Sequence, residues 1–567
     1  MENTTNFSDF ARDEEDDEFS EEESCSTMSD VEPEMQDSEA DIFTASESDE
    51  EDNDNRSETI CNRTWKYIAP KSVECPQSVH QSGSLTNKSR NVKSIEECFK
   101  LFMDDSIIAN IVTHTNQRAN AHYATDFHSW KEVDSIEIYA VLGLLLLIGR
   151  FRESRESRND LWRKDNVLSR QMYTVVMARD RFKDILRFIR FDNTETREDR
   201  KKVDKLAPIR EVSDMFAANC RESYEASNTG TVDEQLVTYR GRCPFKVYMP
   251  SKPGKYGIKI WTLCDAKTYY CCNFDIYLGK IGQIPEKDQG QRVVKQLTDF
   301  WKNSNRVITT DNFFTSIILA EYLLDNGCFL VGTIRKNRKD LPKSIVGTYH
   351  REQYSSQFLF TNKLTLVSYV PKIRKCVVLL SSIHHEFSIS NSENNFKPEI
   401  IKYYNSTKSG VDTLDKLLRE YTCRRSTRRW PMSLFQNFID IAAYNALVIW
   451  ITKNPEWESK SSMKNKRKIF LEILAKELVT EYIERRAQRF ENNATGLHKH
   501  IAQAFEAYGR PIRRKNQTPQ TSSKRSRCHV CVGNDNKYSK KCEQCNNFIC
   551  HNHTVPTKIL CIDCSST

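Results

Sequence analysis

Two β-branched runs each carry an aspartate where a sheet strand would bury it, and this constrains the chain more than any other feature. Thr231-Val232-Asp233-Glu234-Gln235-Leu236-Val237 favours a strand opening at Gly230, and Val307-Ile308-Thr309-Thr310-Asp311-Asn312 repeats the pattern about eighty residues later. An aspartate inside a strand costs free energy unless a metal or a cation satisfies it. A third acidic group, Asp412 with Asp415, opens a helix after Lys408-Ser409-Gly410, and its i, i+3 spacing turns both carboxylates to one side. Carboxylates brought together from two strands and a helix are a way to hold Mg²⁺ for phosphoryl chemistry, because Mg²⁺ takes hard oxygen ligands. Taken singly, such residues are more often strand-end caps or surface groups. Their shared context, an apolar run beside Gly, Thr or Asn, sets these apart.

Charge divides the chain. Residues 1–60 hold 24 Asp and Glu against 2 Lys and Arg, so the remaining residues hold 54 acidic against 82 basic, a net of +28 behind an overall +6. A basic body suits a polyanion, most simply nucleic acid, or else presents a solvated basic surface. Residues 1–93 are too polar to offset chain entropy and read as a disordered acidic tail, solubilising the chain or competing with DNA for the basic body. The chain has no amino-terminal apolar signal segment, and its longest apolar run, residues 140–149, is too short to span a bilayer. A soluble, intracellular protein with no membrane partner is expected.

Order is expected from Ser94-Ile95-Glu96-Glu97, a capping-box pattern. Helical spacing follows over residues 95–112, 136–149 and 170–189, making 94–228 a mostly helical region. Residues 229–337 turn to strands followed by mixed strand and helix, an α/β core with an antiparallel part. The strands of 338–398 contain no third carboxylate and read as an insertion, with the core resuming at 399–421. Residues 422–500 are helical again and begin with Arg424, Arg425, Arg428, Arg429 and Trp430, a basic stretch beside an aromatic that suits phosphate contacts and base stacking. Trp430 alternatively packs at the start of the following helix, whose apolar residues point to a buried core element. A basic linker, 501–527, holds Arg510-Pro511-Ile512-Arg513-Arg514-Lys515 and Lys524-Arg525-Ser526-Arg527, as a nuclear import signal or as DNA contacts.

The tail, 528–567, contains seven of the nineteen cysteines. Cys528-x-x-Cys531, Cys542-x-x-Cys545, Cys550-x-x-His553 and Cys561-x-x-Cys564 form four ligand pairs, suited to two tetrahedral Zn²⁺. Their spacing suggests a cross-brace, the first pair joined to the third and the second to the fourth. His551 rivals His553, and the two-residue gap favours His553. Such a module has little core, so metal would supply its folding energy. Zinc leaves its partner open among DNA, histone tails and other proteins.

From residue 94 onward the chain resembles a piggyBac-type transposase. The resemblance rests on Asp233-Glu234-Gln235-Leu236, Arg240-Gly241-Arg242-Cys243-Pro244-Phe245, Lys252-Pro253-Gly254-Lys255-Tyr256-Gly257-Ile258-Lys259 and Thr310-Asp311-Asn312-Phe313-Phe314-Thr315-Ser316. It continues with Tyr403 to Asp415 and Arg429-Trp430-Pro431-Met432. It implies an α/β RNase H-like catalytic core with a β-rich insertion domain, flanked by an all-α dimerisation and DNA-binding region, plus the small cross-brace zinc domain. It implies Asp233, Asp311 and Asp412 as the catalytic carboxylates and Asp415 as a fourth near the metals. It further implies cutting through hairpin ends and pasting at TTAA targets, by a homodimer acting in the nucleus on double-stranded transposon ends.

In-line displacement at phosphorus by two Mg²⁺ (or Mn²⁺) fits that assignment, with Asp233 bridging the ions, Asp311 on one and Asp412 on the other. Lys252, Lys255 and Lys259 are candidates for DNA-backbone contacts, or a solvated face. The alternative is a transposase-derived chromatin- or DNA-binding protein that no longer cuts. A RING-like ligase reading of the tail leaves the upstream carboxylates unexplained.

Overall fold

The computed structural model describes residues 56–71, 83–124, 130–164, 169–279, 286–390, 395–492, 497–513, 525–532, 536–555 and 558–561. The chain divides into two compact units, 1–103 with 199–461, and 104–198 with 462–567.

The first unit is built on one mixed sheet. Its strands are β1 (Ser57–Ile60), β2 (Arg63–Lys66), β3 (Thr229–Thr238), β4 (Lys246–Tyr248), β5 (Tyr256–Asp265), β6 (Cys271–Ile276), β7 (Val307–Thr310), β8 (Phe329–Thr333), β9 (Ser356–Phe360), β10 (Thr365–Lys372) and β11 (Lys375–Ser381). They lie in the order β1-β2-β9-β10-β11-β8-β7-β3-β5-β4, with β6 pairing β5. Among the described strands, only β8, β7 and β3 run parallel, at the centre. Parallel strands need both faces covered, and all four residues of β7 are buried. The Glu399–Thr407 and Gly410–Glu420 helices pack on β3, and the Ile317–Asp325 helix on β8.

The Trp430–Lys453 helix is long and apolar enough by composition to cross a membrane, yet 89% of its apolar window is buried within the protein. It is a core helix. Its Asn445 accepts the Cys271 N–H at 2.9 Å and donates to the Cys271 carbonyl at 3.0 Å, satisfying backbone groups of β6.

Three expectations need correcting. Residues 57–66, assigned from composition to the disordered tail, form a hairpin joined to the sheet through the Lys66–Phe360 pair. Trp65 is fully buried there, and Arg63 donates twice to Glu321 at 2.6 Å. Averaging over the acidic run concealed this short apolar alternation; within the same stretch Ser84–Leu85 pairs as a strand and Asn87–Arg90 is helical, while 1–55 and 72–82 lie outside the described residues. The strands of 356–381 make no separate sheet but extend the central one, through β11 on β8. Finally, the helical runs are broken. Asp104 starts a new helix by accepting the Ile107 N–H at 3.0 Å, and Met177–Ala178 separates Gln171–Val176 from Arg179–Phe188.

In the second unit the Ser135–Arg150 helix is buried on nearly every side and packs on Met463–Asn492. Gly143 permits the approach, since a Cβ there would lie 2.6 Å from Val479 Cγ1. Buried Glu137 is held by Arg181 at 2.7 Å and by the Tyr482 hydroxyl at 2.7 Å, so its charge is paired.

Candidate active site

The register of the parallel pair brings two aspartates together. Val232 lies opposite Thr310, so Asp233 follows on β3 beside Asp311, the residue just past the end of β7. Asp233 accepts the Glu234 N–H at 2.8 Å. Asp311 accepts the Phe313 N–H at 2.9 Å, and its carbonyl takes the Thr315 hydroxyl at 2.7 Å, which fixes the turn leaving β7. Burial, then the charges of Glu234 and Asp311, push the Asp233 carboxyl well above its ordinary range. Burial, then Glu234, raises Asp311 to about 6. Two carboxyls that resist ionising side by side fit a site completed by a cation.

Asp412 arrives from the first turn of the Gly410–Glu420 helix. The end of the preceding Glu399–Thr407 helix is pinned to the sheet, because Thr231 Oγ1 donates to the Thr407 carbonyl at 2.6 Å, and Thr309 Oγ1 to Thr407 Oγ1 at 2.8 Å. Gly410 then lies so close to β3 that a Cβ would meet Thr231 Oγ1 at 2.6 Å. Gly410→Ala is therefore expected to destabilise the fold by about 1–3 kcal/mol through overpacking and to move Asp412, read as a lower urea midpoint. Lys252 Nζ donates to Asp412 Oδ1 at 2.9 Å and to the Glu234 carbonyl at 2.9 Å, linking the helix to the Asp233 strand.

Asp415 is placed differently. It is buried, accepts from Gln235 Nε2 at 3.4 Å and pairs with Arg419. Its oxygens are engaged by side chains of the protein, while Asp412 is 63% exposed.

Sequence reasoning passed over Glu234 and Arg335. Glu234 raises both Asp233 and Asp311, and Arg335 draws Asp311 the other way while lying over the Phe313 ring at 5.8 Å. Strand alternation turns Glu234 away from Asp233, so only the acidic neighbour itself could have signalled it.

The basic residues divide. Arg424 donates to the Thr238 carbonyl and to Ser433 Oγ at 3.3 Å, and burial lowers its pKa. Its expected DNA contact is thus corrected: the guanidinium holds the loop to the end of β3. Trp430 meets Phe245 edge-on at 5.0 Å, the packing alternative for that residue. Lys252 turns inward to Asp412, and Lys259 lies within 6 Å of the Trp261, Tyr277 and Phe313 rings, at 5.5, 5.7 and 5.0 Å. Lys255 and Arg428 are exposed, and Arg425 and Arg429 half-buried.

Asp440 anchors this arginine loop, accepting the Thr422 hydroxyl at 2.6 Å and the Cys423 N–H at 2.9 Å. Burial raises it to about 6 from an ordinary 3.8. A raised carboxyl binds its proton more tightly folded than unfolded, so the cost of its charge is present above pH 6 and relieved as pH falls towards 4. Asp440→Asn is expected to remove a stability gain of about 3 kcal/mol between pH 7 and pH 4, measured by urea melts.

In the tail, the donor atoms of Cys528, Cys531, Cys550 and His553 lie within 4.8 Å of one another, a set compatible with zinc. His553 Nδ1 is 3.1 Å from Cys550 Sγ and 3.4 Å from Cys531 Sγ. These are the first and third pairs. Cys545 Sγ lies 3.7 Å from His529 Nε2, and Cys542 is buried. Cys564 and the side chain of Cys561 lie outside the described residues.

The transposase IS4 family model matches residues 95–447. Human "PiggyBac transposable element-derived protein 3" is 25% identical over 474 residues, 79% of this chain and 74% of the relative. Human "PiggyBac transposable element-derived protein 2" is 24% identical over 367 residues, 61% of this chain and 60% of the relative, so the match spans less than two thirds of that protein. Among solved structures, the cryo-EM structure of the piggyBac transposase synaptic complex with hairpin DNA matches with a TM-score of 0.72 and 34% identity. That match covers 85% of this chain and all of the other. A sheet that brings Asp233 beside Asp311 and a helix carrying Asp412 thus occur in a chain that belongs to the transposase IS4 family, as a piggyBac-type transposase.

Proposed function

We propose that this protein is a cut-and-paste DNA transposase whose RNase H-like core cleaves transposon ends through hairpin intermediates and joins them to TTAA targets. The observation that carries the reading is Asp233 set beside Asp311 by the parallel strands, with the Asp412 helix tied to the Asp233 strand through Lys252. Asp233, Asp311 and Asp412 are the residues that would hold Mg²⁺ (or Mn²⁺), and the raised carboxyls of the first two fit that role. Bound divalent metal supplies Lewis-acid stabilisation at phosphorus and an activated attacking oxygen. The chain itself contributes the alignment: parallel strands fix Asp233 against Asp311, and Gly410 lets the helix bring Asp412 in. Water or a DNA 3′-hydroxyl is the nucleophile, so no nucleophilic side chain is required.

Double-stranded DNA is the substrate, and the synaptic complex of the similar transposase supports it. The helical segments 94–228 and 422–500 would serve dimerisation and DNA binding, and the cross-brace tail, with two Zn²⁺, transposon-end binding. A homodimer acting in the nucleus completes the proposal, with the clusters at 510–515 and 524–527 as the import signal. Mg²⁺-dependent cleavage of labelled duplexes carrying candidate ends next to TTAA, with Asp311→Ala alongside, tests it. Hairpin products from the wild type alone support the transposase. Tight binding without cleavage by either protein would favour the non-cutting DNA-binding alternative.

A further inference from the structure

We propose that Lys252 is a resident counter-ion that occupies Asp412 before a divalent cation does, and that loading the site requires displacing it. This rests on the metal-binding reading of Asp233, Asp311 and Asp412.

The position of the lysine is constructed. The turn between β4 and β5 is closed by Met249 N–H donating to the Lys255 carbonyl at 2.7 Å, Lys252 N–H to Met249 at 3.2 Å and Lys255 N–H to Lys252 at 3.0 Å. Lys255 takes the left-handed conformation, φ +52°, to complete it. Gly254 lets the turn lie against β3, since a Cβ would stand 2.3 Å from Thr238 Oγ1. From this base the Lys252 side chain, only 14% exposed, reaches the Glu234 carbonyl and Asp412 Oδ1, both at 2.9 Å.

An ammonium has three donors and no acceptor, so the Asp412 carboxylate and the Glu234 backbone carbonyl hold it as they would a cation. Its charge offsets carboxylates whose mutual repulsion would otherwise open the site. A divalent ion that takes the same Asp412 oxygen must break that ion pair. The ammonium freed from Asp412 is then more open to solvent than in the ion pair. Lys252 is thus a positioning residue, setting the metal concentration at which the site fills.

Mn²⁺ binding to the DNA-free full chain, followed by loss of the free-ion EPR signal, tests this. Lys252→Met removes the competitor and is expected to tighten binding by at least about tenfold, while Lys252→Arg retains wild-type affinity. An unchanged affinity in Lys252→Met, with Asp233→Asn still weakening binding, overturns the counter-ion role and leaves the metal site standing. No effect of Asp233→Asn on wild-type binding overturns the metal site and this inference with it. A wild-type measurement covers the case in which Lys252→Met fails to fold. Saturating Mn²⁺ should raise the acetylation rate of Lys252 at least severalfold, read by mass spectrometry, and an unchanged rate overturns the proposal.

Discussion

Asp233→Asn is expected to abolish strand cleavage while leaving transposon-end binding largely intact. The amide oxygen can still accept the Glu234 N–H that now bonds Asp233 Oδ1 at 2.8 Å, so β3 keeps its local geometry. Burial and the neighbouring acids already oppose the Asp233 charge, and removing it should leave the fold at least as stable. What is lost, on the proposed mechanism, is a ligand for the divalent ion. Metal stabilisation of the transition state is worth several kcal/mol, so cleavage should fall by about 10³-fold or more. Labelled-duplex nicking gives the rate, gel shift the binding and thermal melting the fold. Nicking retained within tenfold of wild type would remove Asp233 from the metal site. A fall in binding equal to the fall in cleavage would make it a structural residue.

The parts of the site that could be read in the sequence are those with a short-range signature. β-branched residues flanking Asp233 and Asp311 announce strands, and Lys408-Ser409-Gly410 before Asp412 announces a helix start. The structure supplies the pairing that no local pattern contains. Val232 opposite Thr310 makes neighbours of residues far apart in sequence, and Thr407, reached from both Thr231 and Thr309, docks the Glu399–Thr407 helix that precedes it.

Side-chain charge was less legible than backbone pattern. Lys252, Lys259 and Arg424 all read as candidates for DNA. Yet Lys252 pairs with Asp412, Lys259 lies over aromatic rings and Arg424 closes on the Thr238 carbonyl. A long cationic side chain reaches either solvent or a carbonyl several residues away, and composition does not distinguish the two. The hairpin at 57–66 was concealed for the opposite reason: a few apolar residues, Trp65 above all, lie beside a strongly acidic run.

Removing one tail ligand should unfold the tail and leave the central sheet in place. The described core of this module consists of Ile549 with Cys528, Cys542 and Cys550, which is too little apolar surface to offset chain entropy. Structural zinc in such modules contributes on the order of 10 kcal/mol of folding free energy. Cys550→Ser therefore removes far more than a hydrogen bond. Zinc content should fall by about one ion per chain, since a tetrahedral site needs all four ligands, and proteolysis between 525 and 555 should accelerate. Affinity for transposon ends should drop at least about tenfold if the tail recognises them, while the urea midpoint of the sheet unit stays put. The two histidines provide the sharper comparison. His553 Nδ1 lies among three thiols, whereas His551 is exposed and outside that group. His553→Ala should lose zinc as Cys550→Ser does, and His551→Ala should retain it. The reverse result would reassign the fourth ligand and, with it, the pairing of the first and third ligand pairs.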